Sequence, residues 1–253
     1  MGNMTKEMLF ENTQVSDQEA IEEQYIAGEP FDHTIKHSDA YYEQYMENFT
    51  PNNKRRLFYR FIKRCFDILL SAIMLIILTP VFLVIAIAVK CDSKGKIIFK
   101  QKRMGKGGKE FYCYKFRSMR EDAPHDCPTS CLQDSEKYQT RVGTFLRKTS
   151  LDELPQLWCV FVGSMTFIGY RPLVLTEANC NEMRRKMNVF SLKPGISGYA
   201  QVLGRDDVYY KNKAVLDAEY VKKASLWFDL KLILKTAIVV LKGSGNDDGK
   251  EKK

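Results

Sequence analysis

The chain has 253 residues, with 39 Lys plus Arg against 31 Asp plus Glu and a formal charge of +8 at pH 7; that is enough for one large domain or one domain with appendages. Its seven cysteines are an odd set without regular spacing, which excludes a simple disulfide framework and points to free thiols in a reducing compartment. Residues 1–50 hold eleven carboxylates and two lysines, a net of −9 that leaves +17 on the other 203 residues, and a body so cationic calls for an anionic partner: nucleic acid, phosphorylated substrate or acidic lipid.

Residues 1–53 read as an acidic N-terminal extension, flexible or partly helical by composition. Its start is acidic rather than basic and apolar, unlike a cleavable signal peptide. MGNMTK also places Lys6 where an acylation signal requires Ser or Thr.

Residues 54–95 are expected to form a membrane segment. ILLSAIMLIILTPVFLVIAIAV, residues 68–89, runs 22 residues without a charge, and a straight helix of that length reaches about 33 Å, enough to span a bilayer. A buried core helix is the alternative, although few core helices are apolar on every side. Two features disfavour a straight span. Thr79-Pro80 sits mid-segment, and proline removes a backbone donor and breaks the helix, while the Thr79 hydroxyl can bond back to a freed carbonyl. Residues 54–64 carry six basic residues and no acid, and residues 90–109 carry eight against Asp92 alone; positive flanks favour the cytoplasmic side, so both ends ask for the same side. A re-entrant helix broken at Thr79-Pro80 satisfies both.

Residues 96–242 are expected to be the catalytic domain. FYCYKF alternates like a strand, Gly105, Gly107 and Gly108 before it read as a hairpin turn, and the strand delivers Lys115 and Arg117. Clustered cations around glycines can hold phosphate, although no G-x-x-x-x-G-K-[ST] is present; a basic face against anionic lipid is the other reading. Residues 121–140 look like an inserted loop, and His125, Cys127 and Cys131 within it supply too few ligands for structural zinc. No nucleic-acid-binding motif is recognisable.

TSLDELPQLW, residues 149–158, places Asp152 and Glu153 side by side. Ser150-x-x-Glu153 matches a capping box, but Pro155 then falls where a backbone donor is needed; Asp152 as N-cap puts Pro155 harmlessly in the first turn. The functional alternative uses adjacent carboxylates pointing about 100° apart, one to attack phosphorus and one to hold Mg²⁺, with Arg147 and the Arg171 of GYRP neutralising phosphoryl oxygens. Farther on, SLWFDLKLILKTAIVVLK, residues 225–242, gathers Lys231, Lys235 and Lys242 on one helical face, with Leu226, Leu230, Ile233, Ala237 and Val240 over much of the rest and Trp227 at one end. An interfacial amphipathic helix and an ordinary surface helix both fit that pattern. Residues 243–253 are expected to be a disordered tail.

Taken together, RVGTFLRKTSLDELPQLW, GYRP, KPGISGYAQVLGR, SLWFDLKLILKT and FKQKRMGKGGKEFYCYKFRSM resemble, in order and over roughly residues 60–242, the bacterial sugar transferase family, the monotopic polyprenol-phosphate phosphoglycosyl transferases. The resemblance implies an α+β fold: a mostly helical membrane-associated domain with a small β-hairpin or sheet, one re-entrant helix and interfacial helices. It also implies Mg²⁺-dependent transfer of a phosphosugar from a UDP-sugar to a polyprenol phosphate such as undecaprenyl phosphate, with release of UMP, at the cytoplasmic face of the bacterial inner membrane. By the same carry-over Asp152 is the nucleophile of a covalent phosphosugar intermediate, Glu153 the Mg²⁺ ligand, and Arg147 and Arg171 the residues near the phosphates. Lys115, Arg117, Pro172 and Gln201 match motif positions, and Pro80 matches the helix-breaking proline. Cys159 and Tyr170 depart from the family's usual Asn and Pro, which bears on substrate preference or local packing. The acidic arm matches no recognised family feature, and the chain shows one long apolar segment rather than the four-span bundle of larger members. The charge permits nucleic-acid binding, but with no recognised motif for it no nucleic-acid partner is expected, and the sequence leaves oligomerisation open. A direct transfer without covalent intermediate and a non-catalytic scaffold of polysaccharide export are the rival readings.

Overall fold

The computed structural model describes residues 31–51, 57–124, 135–204 and 209–241. Lys6, the 125–134 stretch with His125, Cys127 and Cys131, and the 243–253 tail lie outside the described residues. The architecture is mostly helical with two small sheets, as expected of an α+β chain.

Helix α1 (Asp39–Asn48) starts where Ser38 Oγ accepts from the Tyr41 backbone N–H, which satisfies one orphan donor of the first turn. It buries Tyr41, Tyr42 and Tyr45, which cluster with Phe49. The folded part of the acidic arm therefore packs onto the body.

Helices α2 (Leu57–Ile77) and α3 (Thr79–Asp92) meet at a 61° bend. Among the described residues no single helix is long and apolar enough to cross a membrane; this bent pair passes by length and composition. Pro80 sits in the first turn of α3, and Thr79 Oγ1 donates to Leu75 O at 2.8 Å across the break, which is the back-bond expected of that hydroxyl. Burial on α2 is inverted. Its buried residues are Asp67 and Ser71, while Phe58 is 75% exposed and Leu69, Ile76 and Ile77 stand in the open. Asp67 Oδ1 accepts from Thr166 Oγ1 at 3.0 Å and from the Phe167 N–H at 3.2 Å, and Ser71 Oγ donates to Asp67 O at 2.6 Å. The polar stripe faces protein and the apolar surface faces outward, the reverse of a soluble helix.

Strands β1 (Ile98–Met104) and β2 (Glu110–Phe116) form an antiparallel hairpin with Ile98 opposite Phe116 and Met104 opposite Glu110. Its turn needs positive φ at Gly107 and Gly108, which glycine adopts at no steric cost. After a single helical turn, α4 (Ser135–Tyr138), the backbone bond from Arg120 N–H to Tyr138 O closes the two described ends of the 121–140 segment.

Helix α5 (Arg141–Lys148) is capped by Thr140, whose Oγ1 accepts from Gly143 N–H at 3.0 Å. The chain then turns through Ser150, a non-glycine residue at φ 57°, into a 3₁₀ turn, Leu151–Glu153. Helix α6 (Gln156–Val162) follows, with Pro155 at its N-cap. The expected Asp152 N-cap is therefore corrected. Helix α6 begins four residues later, and Ser150 makes no side-chain cap bond to the turn. The left-handed Ser150 redirects the backbone before a capping geometry can form.

Strands β3 (Thr166–Ile168) and β4 (Gly195–Ser197) pair in parallel, separated in sequence by α7 (Ala178–Lys186). Helix α8 (Tyr199–Gly204), α9 (Tyr210–Lys223) and α10 (Leu226–Leu241) complete the described chain. Helix α9 carries Asp217, whose buried ion pair with Arg184 of α7 lies under Tyr170. Helix α10 buries Asp229 and Leu232 and exposes Leu226, Trp227, Leu230, Leu234 and Ile238, an apolar outer stripe as on α2. Asp229 accepts from Lys63 Nζ at 2.5 Å and from the Tyr59 and Tyr220 hydroxyls at 2.8 and 2.7 Å, which ties α10 to α2.

Removing one partner of the buried Arg184–Asp217 pair leaves the other charge stranded. Arg184→Met is expected to lose about 3–5 kcal/mol of unfolding free energy, and the double variant Arg184→Met/Asp217→Leu to regain most of it. Denaturant unfolding in detergent checks this; an additive double variant would contradict the pairing.

Candidate active site

The 3₁₀ turn Leu151–Glu153 presents both carboxylates to one cleft of about 1440 Å³, open mouth included. Three cations line the same cleft from three elements: Lys115 from β2, Arg147 from the end of α5, and Arg171 from the segment after β3. Glu153 Oε1 receives Lys115 Nζ at 2.7 Å and Arg171 Nη2 at 3.0 Å. Asp152 is held more loosely, its Oδ2 4.0 Å from the same Lys115 Nζ.

This asymmetry separates the two acids. Burial pushes the Asp152 carboxyl above its ordinary value; Lys115 opposes that shift, Glu153 adds to it, and Arg147 and Arg171 oppose it more weakly. Burial acts on Glu153 too, but Arg171 and Lys115 outweigh it and hold that carboxyl well below the usual carboxylate range. One acid is thus a fixed anion. The other is a poorly solvated, more basic carboxylate with an oxygen free of a short ion pair.

Both cations on Glu153 bind Oε1, and no described protein group is seen on Oε2. No cluster of three or more His, Cys, Asp or Glu suited to a metal exists among the described residues. Two adjacent carboxylates fit a Mg²⁺ that takes its remaining oxygens from substrate phosphates and water, the usual manner of Mg²⁺ at phosphoryl sites. They do not fit a metal that needs an all-protein cage.

The far wall is apolar, formed by Met74 of α2, Leu154, Leu157, Phe167, Val202 and Val239 of α10. Ser197 and Thr236 share a 2.7 Å hydroxyl contact on the same wall. Gln201 also lines the cleft; its Nε2 donates to Ile196 O at 3.1 Å, and its buried Oε1 has no hydrogen-bond partner among the described residues. Asp152, Glu153, Lys115, Arg147, Arg171 and Gln201 are therefore brought together. Arg117 and Pro172 are not. The Arg117 guanidinium donates to Ser93 O at 2.7 Å, Ser93 Oγ at 2.9 Å and Lys94 O at 2.8 Å, so it closes the C-terminal end of α3 instead. Pro172 contributes its carbonyl to Arg103 Nη1 at 2.6 Å. Thr79 and Pro80 sit at the helix break, outside the cleft lining.

Sequence reasoning missed Phe167, Ser197, Thr236 and the helix residues Met74 of α2 and Val239 of α10, because nothing local in sequence places them beside residue 152. Cys159 is 0% exposed and Tyr170 1% exposed, and neither lines the cleft. Both departures from the family pattern are thus packing positions.

The cleft thus sets paired carboxylates among three cations, with apolar residues of α2 and α10 in its lining. The chain belongs to the bacterial sugar transferase family, which it matches over residues 58–243. It is 41% identical over 185 residues to the UDP-glucose:undecaprenyl-phosphate glucose-1-phosphate transferase of Xanthomonas campestris pv. campestris, covering 69% of this chain and 38% of the relative. It is 39% identical over 211 residues to the undecaprenyl-phosphate galactose phosphotransferase of Salmonella typhimurium, covering 77% and 43%. To the exopolysaccharide production protein ExoY of Rhizobium meliloti it is 36% identical over 200 residues, covering 72% and 87%. The chain thus spans about two-fifths of the length of the first of these relatives.

Lys115 Nζ lies within 4.0 Å of both acids, so Lys115→Met should raise the titration midpoints of both carboxyls. Carboxylate infrared bands followed against pH, with Glu153→Gln as the assignment control, measure the shift; an unmoved titration would contradict the electrostatic assignment.

Proposed function

We propose that this chain transfers a phosphosugar from a UDP-sugar to undecaprenyl phosphate and releases UMP, as the first membrane step of a bacterial glycoconjugate or polysaccharide. It works at the cytoplasmic face of the inner membrane. The observation that carries the reading is the unequal carboxylate pair among Lys115, Arg147 and Arg171, in a cleft walled on one side by Met74 of α2 and Val239 of α10. The curated relatives' names supply the substrate classes.

The membrane reading rests on the inverted burial of α2 and the 61° bend to α3. With basic flanks at both ends, the pair enters and leaves on one side. The bilayer then meets the cleft along its apolar wall, which gives a polyprenol chain a route from lipid to the carboxylates without leaving an apolar surface.

In the first step an Asp152 oxygen attacks the sugar-bearing phosphorus of the UDP-sugar. The bond from that phosphorus to the bridging oxygen breaks, and UMP leaves with the electron pair. In the second step a phosphate oxygen of the polyprenol phosphate attacks the same phosphorus, and the Asp152 carboxylate is the leaving group. Atoms and charge balance in both steps. Asp152 is suited to attack because burial strips its solvation and no short ion pair occupies it. Lys115, Arg147 and Arg171 neutralise phosphoryl oxygens as charge builds. Glu153 would hold Mg²⁺ through Oε2, and the ion when bound supplies charge neutralisation at the pyrophosphate.

Asp152→Asn should lower UMP release by about 10⁴-fold or more and leave no label on the protein after incubation with a UDP-sugar labelled in its β-phosphate. Normal turnover in that variant would end the mechanism, and turnover without a labelled wild-type protein would favour direct attack by the lipid phosphate. Glu153→Gln should cost roughly 10²–10³-fold and flatten the Mg²⁺ titration; an unchanged titration would remove Glu153 as the ligand.

Protonated Asp152 is not a nucleophile, and its folded carboxyl titrates above the ordinary value. Activity should therefore fall as pH falls through that raised value, while Glu153 stays charged across the same window. The acid limb of kcat/KM is expected above about pH 4, the ordinary Asp midpoint; a limb at or below it would contradict the assignment.

A further inference from the structure

A second cavity, of about 480 Å³ with its open mouth, lies on the opposite side of β3 from the catalytic cleft. Phe167 lines the cleft, whereas its strand neighbours Thr166 and Ile168 line the second cavity, as the two-residue alternation of a strand requires. The two share no lining residue. Its charged residues are Arg60, Lys63, Arg64, Lys106, Lys193 and a lone carboxylate, Asp67.

Two of these charges are already engaged. Lys63 is paired with Asp229. Asp67 accepts from Thr166 and Phe167. Arg64 donates to Val160 O at 2.7 Å and Phe161 O at 2.8 Å, partial charges only. Arg60, Lys106 and Lys193 form no ion pair among the described residues. The cations converge: a Cβ built on Gly163 would lie 3.0 Å from Arg64 Nη2 and 3.3 Å from Lys193 Nζ. Burial and the neighbouring Arg64 and Lys106 charges depress the Lys193 ammonium, and the one carboxylate of the cavity, Asp67, opposes that shift without overcoming it.

We infer that this cavity binds the phosphate group of an anionic phospholipid headgroup. The inference rests on the membrane reading of α2 and α3. Arg60, Lys63 and Arg64 occupy the turns of α2 immediately before the uncharged run that begins at Ile68, so the cavity opens at headgroup depth. Basic pockets at that depth recognise anionic headgroups, and a phosphate oxygen would supply the anion that Lys193, Lys106 and Arg60 lack. The cavity is distinct from the place where donor and acceptor react. Occupying it would fix the height of α2, and through Asp67 and Lys63 the position of β3.

The test uses the full chain in detergent with short-chain phosphatidylglycerol, short-chain phosphatidylcholine and inorganic phosphate as separate probes. Wild type is expected to prefer phosphatidylglycerol over phosphatidylcholine, and Lys106→Gln/Lys193→Gln to lose about 10-fold or more of that preference. UMP release in phosphatidylcholine nanodiscs should be unchanged in the double variant. Equal binding of inorganic phosphate, lost in the same variant, would support the anion site and assign it to a soluble phosphate. A double variant that keeps the wild-type preference overturns the proposal. So does an equal loss in Lys94→Gln/Lys96→Gln, which would make the effect general surface charge. Flotation of wild type with neutral vesicles reads the membrane arrangement separately: its failure alongside intact phosphatidylglycerol binding would fault that arrangement and leave the anion site standing.

Discussion

Two carboxylates on consecutive residues, largely withdrawn from water, are the constraint from which the rest of the site follows. Like charges about 4 Å apart repel by roughly 1 kcal/mol in water and about 4 kcal/mol at an effective dielectric of 20, so Asp152 and Glu153 need cations close by. None is adjacent in sequence in a position to serve Glu153. Lys115 arrives from the β1–β2 hairpin and Arg171 from the end of the β3 segment, and both settle on Glu153 Oε1. The hairpin and the parallel β3–β4 pair are small, yet they place these two cations. Because both choose the same acid, Asp152 is left less tied, and the division of labour between neighbours follows from that inequality.

The second constraint is the inverted surface of α2. A helix with Ser71 at 0% exposure and Ile76 at 74% is stable only where its outer face meets something apolar. Its polar stripe does the docking. Asp67 holds the Thr166 hydroxyl and the Phe167 amide on β3, Lys63 holds Ile168 O at 2.7 Å and Asp229, and Arg64 holds the carbonyls ending α6. The bent pair α2–α3 is therefore bonded directly to the strand that lines the catalytic cleft. Arg117 binds the Ser93 and Lys94 carbonyls just past the end of α3.

The features legible in sequence were those with a local cause. The glycines of the hairpin turn, the break at Thr79-Pro80 with its back-bond, and the carboxylate pair each depend on residues within a few positions of one another. What escaped the sequence depended on distant partners. Lys115 and Arg117 share a face if the strand continues, but β2 ends at Phe116 and the Ser93 and Lys94 carbonyls just past α3 capture Arg117, so only Lys115 reaches the cleft. Asp152 was a sound N-cap for a helix beginning at residue 153; the left-handed turn at Ser150 moved the helix start to Gln156. The Lys63–Asp229 and Arg184–Asp217 pairs join residues 166 and 33 positions apart and carry no local signature. Met74 of α2 and Val239 of α10 line one cleft although 165 positions separate them, and no local pattern announces that.

The acidic arm, unexplained by sequence pattern, acquires a physical role from its contacts. Tyr42 bonds Asn212 on α9, and Tyr45 bonds Glu219 at 2.7 Å on the same helix. The aromatic cluster of α1 covers the side of α9 and α7 where Arg184 and Asp217 are buried. Arg184 Nη1 in turn donates to Arg171 O at 2.9 Å, and the Arg171 side chain reaches Glu153. A buried ion pair holds its geometry only while water is excluded and its remaining donors are met. Tyr170, a member of the same cluster as the arm's aromatics, lies against Arg184, and the Arg171 carbonyl meets one of those donors. The Arg171 cation of the cleft is therefore linked from behind to a buried ion pair and, beyond it, to the aromatic cluster of a segment that does not line the cleft.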